Sequence, residues 1–583
     1  MRLETIEHRS AFMDCYAYNE NEIIIRIRTG KEITAVNLIH DDPYLKGISP
    51  QNFWSGQTSP MMLEKELKYA YLWSIRLKPE FKREQYYFEI WEQEEKIYLL
   101  EDDFYTEEEM CLSGRINQYF KYPWLNESDV NVTPKWVRDT VWYQIMPDRF
   151  RRGDRNKKRM PLQPWDKKGK ITYSDFFGGD LRGIIDKLDY LKDLGITGIY
   201  FTPLFESSTN HKYNTTDYTR IDPDFGTEAE MRELIKEAHK REIRIMIDAV
   251  FNHSGTHFFA WQDVLEKGKD SPYFDWFYIN KFPLDNGKYD TKDGRYYSFA
   301  FVAEMPKLNT NNKQVCEYLT NLCRHWVSEW EIDGIRFDVG NEVSHSFLKQ
   351  LRKDLKEMNP ELFLLGEIWH DSASWLLGDE YDSVMNYPFL ESLNNYYLDK
   401  DKTSRDFMYA MNRCYALYQE QTNEVLFNFL DSHDIGRVYS RYEDMDIFFQ
   451  QLTVLLTMQG SPCIYYGTEI AMPGGHDPEN RRCMPWEEIE SGVYDDIIEQ
   501  VKQLIAIRRQ YPRLREGTIT WKHDTGNSRV VCYEKENDNT TVMVCLNAGE
   551  TAIEVDAKTL LFSRRFENGR LAPGGTLVYI RRT

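Results

Sequence analysis

Long basic runs are missing from this 583-residue chain, and acidic groups prevail: 94 Asp and Glu against 73 Lys and Arg, a formal net charge of −21. Nothing in that balance would neutralise a phosphate backbone, which argues against a nucleic-acid partner. No stretch reaches ~18 consecutive apolar residues, so no membrane span is indicated. The opening residues, Met1-Arg-Leu-Glu-Thr-Ile-Glu-His-Arg9, hold no apolar core of signal-peptide length. Cysteine is sparse and unpatterned: nine residues (15, 111, 316, 323, 414, 463, 483, 532 and 545), an odd number with no C-x-x-C pair. Neither a disulfide framework nor a zinc site fits that, whereas reduced, buried thiols in a cytoplasmic protein do.

The chain is too long for one core, and the length prior suggests roughly three to five domains. Aromatic residues make up 14% of it. Flat C–H faces of sugar rings stack on such side chains, although filling β-rich cores is the commoner role of any single one.

Residues 1–122 read as an N-terminal β-sandwich, with strand runs at Glu22–Thr29, Tyr69–Leu77 and Gln85–Trp91. A polar linker, 123–138, follows. From 139 to 510 strand and helix patterns alternate eight times, which predicts a (β/α)8 barrel rather than an open sheet. Leu181, Ile184, Ile185, Leu188 and Leu191 mark one of its helices, ended by Gly195, and Thr227–Lys240 another. After the third strand about 60 aromatic, Gly- and Asp-rich residues, 253–310, exceed ordinary loop length and predict an inserted subdomain beside the active face. Residues 511–583 lose the helical period and read as a C-terminal antiparallel β domain.

Four of the strand-like runs end in a carboxylate. They are Ile243–Asp248, Gly334–Asp338, Leu362–Glu367 and Val425–Asp434. In a parallel barrel such ends share one face, so these groups converge over one cavity. Two carboxylates ~5–5.5 Å apart can cleave a glycosidic bond with retention, one as nucleophile and one as proton donor. Arg336 and Asp338 lie two apart on one strand and share a face, so the guanidinium is expected to hold Asp338 ionised. Glu367, between Gly366 and Trp369, is expected in apolar surroundings that keep it protonated. Asp434, beside His433, would grip sugar hydroxyls as the ring distorts. Taken singly, an Asp at a strand end often caps the next helix, and His253 or His433 would be an ordinary structural histidine. Convergence is what favours chemistry.

Asp248-Ala-Val-Phe-Asn-His253, Gly334-Ile-Arg-Phe-Asp338, Gly366-Glu-Ile-Trp369 and Phe429-Leu-Asp-Ser-His-Asp434 closely resemble four signature segments of the α-amylase family of glycoside hydrolases. The resemblance implies Asp338 as nucleophile, Glu367 as acid/base and Asp434 as transition-state stabiliser. It implies sugar contacts from His253, Arg336 and His433, with Tyr213 stacking beneath. Met305-Pro-Lys-Leu-Asn309 and Val339-Gly-Asn-Glu342 resemble the cyclomaltodextrinase, neopullulanase and maltogenic amylase group. Asp42-Pro43-Tyr44 resembles that group's N-terminal domain, implying a homodimer in which one copy roofs the other's cleft and favours cyclodextrins and short maltooligosaccharides over starch. By the same match Asp477 and Arg481 contact substrate, and Trp369 shapes the acceptor side.

Departures accompany the resemblance. The group's calcium segment, of the form Asn-Gly-Asp-x-x-Asn-Asp, reads Arg152-Gly-Asp154-Arg-Asn-Lys157-Lys158 here, with Gly178-Gly-Asp180 later. Only Asp154, Gly178 and Asp180 remain as oxygen donors, short of the six to eight a calcium ion takes. The expectation is that an ammonium group replaces the metal and that no cofactor serves the chemistry. Asp431 stands for a more usual glycine and Asn214 for a more usual aspartate. Two other readings stay open: a non-catalytic amylase-like binding protein, against which the three intact carboxylates argue, and an isomerising or cyclising glucanotransferase on the same scaffold.

Overall fold

The computed structural model describes residues 1–45, 54–112, 118–153, 160–516, 518–522, 528–537 and 540–582. It divides into two compact units, Met1–Val132 with Ala373–Gly378 and Lys402–Asn423, and Thr133–Ser372 with Asp379–Asp401 and Glu424–Thr583.

The second unit is built on eight parallel strands: β1 (Trp142–Ile145), β2 (Gly198–Phe201), β3 (Arg244–Ala249), β4 (Gly334–Phe337), β5 (Phe363–Gly366), β6 (Ser383–Val384), β7 (Phe427–Phe429) and β8 (Ser461–Tyr465). Each pairs with its sequence neighbour from β1 to β6, β8 pairs β1 and β7 pairs β8. A parallel bridge between Met385 and Phe427 joins the two ends, and the sheet closes into the expected barrel. The strands are continuous apolar runs because both faces are covered; every residue of β1, β2, β4, β5, β7 and β8 is buried. The barrel interior is filled by Trp142, Tyr200, Met246, Phe363, Leu365 and Phe427 among others, each contributing roughly 1.5–3 kcal/mol by burial.

Local signals place the helices. Thr227 and Glu230 form a capping box at the start of Glu228–Lys240, whose Met231, Leu234, Ile235 and Ala238 face inward. Gly195, at φ 94°, ends Leu188–Leu194 in the left-handed conformation. The predicted helix before it is two pieces, Leu181–Ile185 and Leu188–Leu194. Lys187 leaves the helical region there (φ −110°, ψ 6°), and the apolar spacing runs through the break because both pieces bury the same side.

Two features after β2 and β3 shape the active face. A hairpin, Phe205–Ser207 with Thr215–Ile221, carries Tyr213 in its loop; the sequence reading had no strand there. The insertion at 253–310 holds a helix, Phe259–Lys267. Its base is stitched by antiparallel bridges His253–Lys307 and Phe277–Leu308. Within it Ala300 (φ 46°) and Phe301 (φ 64°) are consecutive left-handed residues that are not glycine. C-terminal strands Thr520–Lys522, Val530–Asn537, Thr540–Asn547, Ile553–Glu554, Thr559–Glu567 and Arg570–Arg582 form one antiparallel sheet.

The first unit contains two antiparallel sheets packed as a sandwich. Ile23, Ile25 and Ile27 of one sheet meet Val36, Leu38, Phe88 and Ile90 of the other. Helix Ser404–Ala416, from the segment between β6 and β7, belongs to this unit.

Candidate active site

Backbone register brings the reacting candidates together. Phe337 of β4 is paired with Gly366 of β5, so Asp338 and Glu367 leave adjacent strand ends side by side, at a strand spacing of ~4.8 Å. Asp248 of β3 pairs with Arg336 of β4. Arg336 is fully buried. Its Nη1 donates to both oxygens of Asp248 (2.9 and 2.8 Å) and to Asp338 Oδ1 (2.9 Å). Nη2 lies 2.8 Å from Glu367 Oε2. One guanidinium is thus divided among three carboxylates.

That division changes the expected electrostatics. Burial pushes the Asp338 carboxyl well above the usual carboxylate range; Arg336 opposes this, and the charges of Glu367, Asp248 and Asp434 reinforce it. Asp248 is likewise pushed up to about 6 by burial, against Arg336. Arg336 therefore does not by itself hold Asp338 ionised, because burial outweighs its attraction and its charge is shared. Nor is Glu367 in apolar surroundings: Oε2 also accepts the Val339 N–H (2.9 Å) and Oε1 the indole N–H of Trp369 (3.0 Å). Trp369 contributes a donor, where the sequence suggested only an apolar neighbour.

The remaining candidates join the same network. The Tyr213 hydroxyl is 3.0 Å from Asp248 Oδ2 and 2.5 Å from His433 Nε2, and its ring stacks on that of His433 at 5.3 Å and 5°. Gln144 of β1 places its amide nitrogen 2.7 Å from His433 Nδ1, which leaves Nε2 as the protonated nitrogen facing Asp434 Oδ2 at 3.2 Å. His253 Nε2 approaches the Tyr213 carbonyl (3.1 Å), and its ring stacks on Phe299 at 5.0 Å. Burial drives both histidines to the neutral form, His253 down to about 3 and His433 well below its usual value, with Arg481 and Arg336 adding to the effect on the latter. Asp477 and Arg481 pair at 2.9 Å, and Arg481 reaches to 3.7 Å of Asp434. Trp369 is 53% exposed and stacks on Tyr387 at 4.1 Å.

Asp338, Glu367, Asp434, Tyr213, His253, Arg336, Trp369, His433, Asp477 and Arg481 therefore form one contact network. Sequence reasoning missed Gln144, Tyr200 (which donates to Asp248 at 2.8 Å), Phe299 and Tyr387. A buried amide inside an apolar strand run was a readable signal for Gln144; Phe299 and Tyr387 carried none.

The calcium remnant fares differently. Asp154, Lys157 and Lys158 lie outside the described residues. Asp180 Oδ1 accepts the N–H groups of Gly153 (3.0 Å) and Gly183 (2.8 Å), capping helix Leu181–Ile185. The carbonyl of Phe177, beside Gly178, accepts from the Arg152 guanidinium (Nε 3.0 Å, Nη2 2.5 Å). Among the described residues no cluster of three or more His, Cys, Asp or Glu could hold a metal, and N–H donors occupy oxygens that a cation would need. Asp180 and the carbonyl next to Gly178 thus already carry N–H donors.

The loop presenting Tyr213 depends on a buried ion pair. Lys212, at φ 65°, places Nζ 2.8 Å from Asp222 Oδ2, both side chains at 1% exposure or less, between the rings of Phe176 and Phe225.

A barrel with this carboxylate cluster at its strand ends defines a glycosidase. Residues 144–512 match the alpha amylase catalytic domain, and 1–126 the alpha amylase N-terminal ig-like domain. The chain is 41% identical over 562 residues to a cyclomaltodextrinase of Geobacillus thermopakistaniensis, spanning 95% of this chain and 92% of that protein. It is 40% identical over 558 residues to a maltogenic alpha-amylase of Bacillus acidopullulyticus, spanning 94% and 92%. A solved cyclomaltodextrinase structure superposes with TM-score 0.88 at 36% identity, covering 100% of this chain and 98% of that one. The chain belongs to the α-amylase family.

Replacing Lys212 by Met takes the ammonium partner from the buried Asp222, which keeps the backbone N–H groups of Ser207 and Asp224. We expect a loss of ~3–5 kcal/mol in urea denaturation; a loss under ~1 kcal/mol would show that the pair does not hold this loop.

Proposed function

We propose that this enzyme hydrolyses α-1,4-glucosidic bonds of cyclodextrins, short maltooligosaccharides and pullulan with retention of configuration, with some transfer to sugar acceptors. The observation that carries this reading is the pair Asp338 and Glu367, on adjacent strand ends and bound to one guanidinium. Such a spacing leaves room for an anomeric carbon between the carboxyl groups but not for an attacking water as well, which favours double displacement.

Asp338 attacks the anomeric carbon from one face while Glu367 gives its proton to the leaving oxygen. The bond to the departing sugar breaks and a glycosyl ester on Asp338 forms. Water then enters from the vacated side, Glu367 takes its proton, and the ester opens. One guanidinium cannot neutralise Asp248, Asp338 and Glu367 together, so the cluster retains a proton; burial favours it on Asp338, and attack requires that it stand on Glu367 once the sugar is bound. Asp434, tethered to His433 and approached by Arg481, grips the sugar as its ring flattens. Neutral His433 and His253 donate hydrogen bonds without adding charge. The intact trio argues against a non-catalytic binding role.

A homodimer through the N-terminal domain, with the second copy roofing the cleft, accounts for the substrate preference. Tyr44 supports this reading: it is 82% exposed, yet its backbone N–H is held by Asp42 Oδ1 (2.8 Å) and its ring by the Arg83 guanidinium at 4.9 Å. A fixed, exposed aromatic is suited to anchor an interface. No described helix is long and apolar enough to cross a membrane. All nine cysteines are free thiols among the described residues, which supports a cytoplasmic setting.

Asp338→Asn should abolish turnover with an unchanged circular dichroism spectrum; substantial residual activity would identify another nucleophile. On β-cyclodextrin, pullulan and soluble starch, the cyclodextrin should be consumed fastest, and faster turnover of starch would overturn the assigned preference. We further propose that the enzyme needs no calcium. Dialysis against a chelator should leave its melting temperature and activity unchanged; a fall of several degrees, with one calcium per chain by elemental analysis, would refute this.

A further inference from the structure

Asp431 lies two residues past the end of β7, three before Asp434, and touches none of the reacting groups. Its carboxylate is buried, at 1% exposure. Oδ2 accepts the backbone N–H of Val438 (3.0 Å), the first residue of helix Val438–Tyr442. The loop 431–437 is therefore tied across its own ends by the side chain of its first residue. The Thr468 hydroxyl lies 2.9 Å from Oδ1 and 3.0 Å from Oδ2, joining this loop to the turn Thr468–Ile470 that follows β8. That turn is itself anchored, because Glu469 Oε1 accepts the hydroxyls of Tyr143 in β1 (2.7 Å) and Tyr190 (3.0 Å).

Asp434 needs such support. Its side chain is 28% exposed, with His433 Nε2 at 3.2 Å and Arg481 Nη2 at 3.7 Å; the second contact is too long for a hydrogen bond. Its place is set more by its backbone than by its own contacts. Inside the loop the Asn480 amide donates to the carbonyls of Ser432, His433 and Ile435 (3.0, 2.9 and 2.9 Å), and Arg481 Nε to that of His433 (2.9 Å). These bonds define the loop's shape. The Asp431 bridge, with the Gln144–His433 contact to β1 (2.7 Å) and the Arg437 Nη1 bond to the Tyr466 carbonyl (2.7 Å), fixes where that shape sits relative to β8 and the barrel.

We propose that Asp431 is a positioning residue for Asp434, holding the loop so that the Asp434 carboxylate meets the sugar at the transition state. This rests on Asp434 having the role assigned above. An interaction realised only in the transition state changes kcat and leaves ground-state binding alone.

The test is steady-state kinetics on maltotriose for Asp431→Gly, Asp431→Asn and Thr468→Val, with Asp434→Asn alone and combined with Asp431→Gly. Asp431→Gly should lower kcat ten- to a hundred-fold, the scale of a displacement of ~1 Å, with KM changed less than about two-fold. Asp431→Asn, which keeps an acceptor oxygen, should recover most of that loss, and Thr468→Val should show a smaller fall in kcat. In the Asp434→Asn background Asp431→Gly should cost nothing further. The proposal is overturned by a normal kcat in Asp431→Gly, by a rise in KM alone, or by the same fold-loss in both backgrounds. Should Asp431→Gly not fold, Thr468→Val and Asp431→Asn decide the matter on the same kcat-against-KM criterion. Normal turnover by Asp434→Asn would instead sink the role of Asp434 itself, a separate outcome from an inactive Asp434→Asn beside fully active Asp431 variants.

Discussion

One buried guanidinium organises the carboxylates at the barrel's strand ends. Arg336 reaches Asp248, Asp338 and Glu367 at once, from a strand whose neighbours on both sides carry its partners. A lysine could not do this, since the planar fork supplies several donors in fixed directions. Burying such a group is costly unless it is paired and hydrogen-bonded, so the three acids and the arginine hold one another in place. Three carboxyl groups face one guanidinium, and burial together with the neighbouring acids pushes the Asp338 carboxyl upward.

From this centre the constraints pass outward in layers. Tyr200 and Tyr213 bond to Asp248; Tyr213 links to His433; Gln144 fixes the His433 ring. Behind Tyr213 lies the Lys212–Asp222 pair, and behind His433 and Asp434 the Asp431–Thr468 bridge. Loops that present reacting groups are thus tied by buried polar bonds, where an unsatisfied partner would be expensive. Such bonds explain how irregular backbone can present side chains with barrel-like precision.

Much of this was legible in the sequence, and what was legible shares a physical cause. Strands buried on both faces must be apolar, so the carboxylates ending them stand out, and Asp248, Asp338 and Glu367 could be placed on one rim from pattern alone. Helix ends at Gly195 and Thr227 carried their own signals. The hairpin holding Tyr213 was not legible, since its Thr-, Tyr- and Asp-bearing strands lack a clean two-residue alternation. The electrostatics were misread for a different reason. Period-2 geometry correctly put Arg336 beside Asp338, but strand pairing, which the sequence does not display, also put it beside Asp248 and Glu367. Trp369 was read by its apolar ring, whereas its N–H is what faces Glu367.

The barrel ring is not equally strong all the way round. β6 has two residues, and beyond them a lone bridge from Met385 to Phe427 closes the circle. Thermal breathing should start at this seam, where the fewest ladder bonds must break together. The seam borders β7, which leads to Asp434, and β6 lies between it and β5, at whose end Glu367 stands. As temperature rises, the hold on Asp434 should loosen first, while Asp338 and Glu367 stay tied to each other through Arg336.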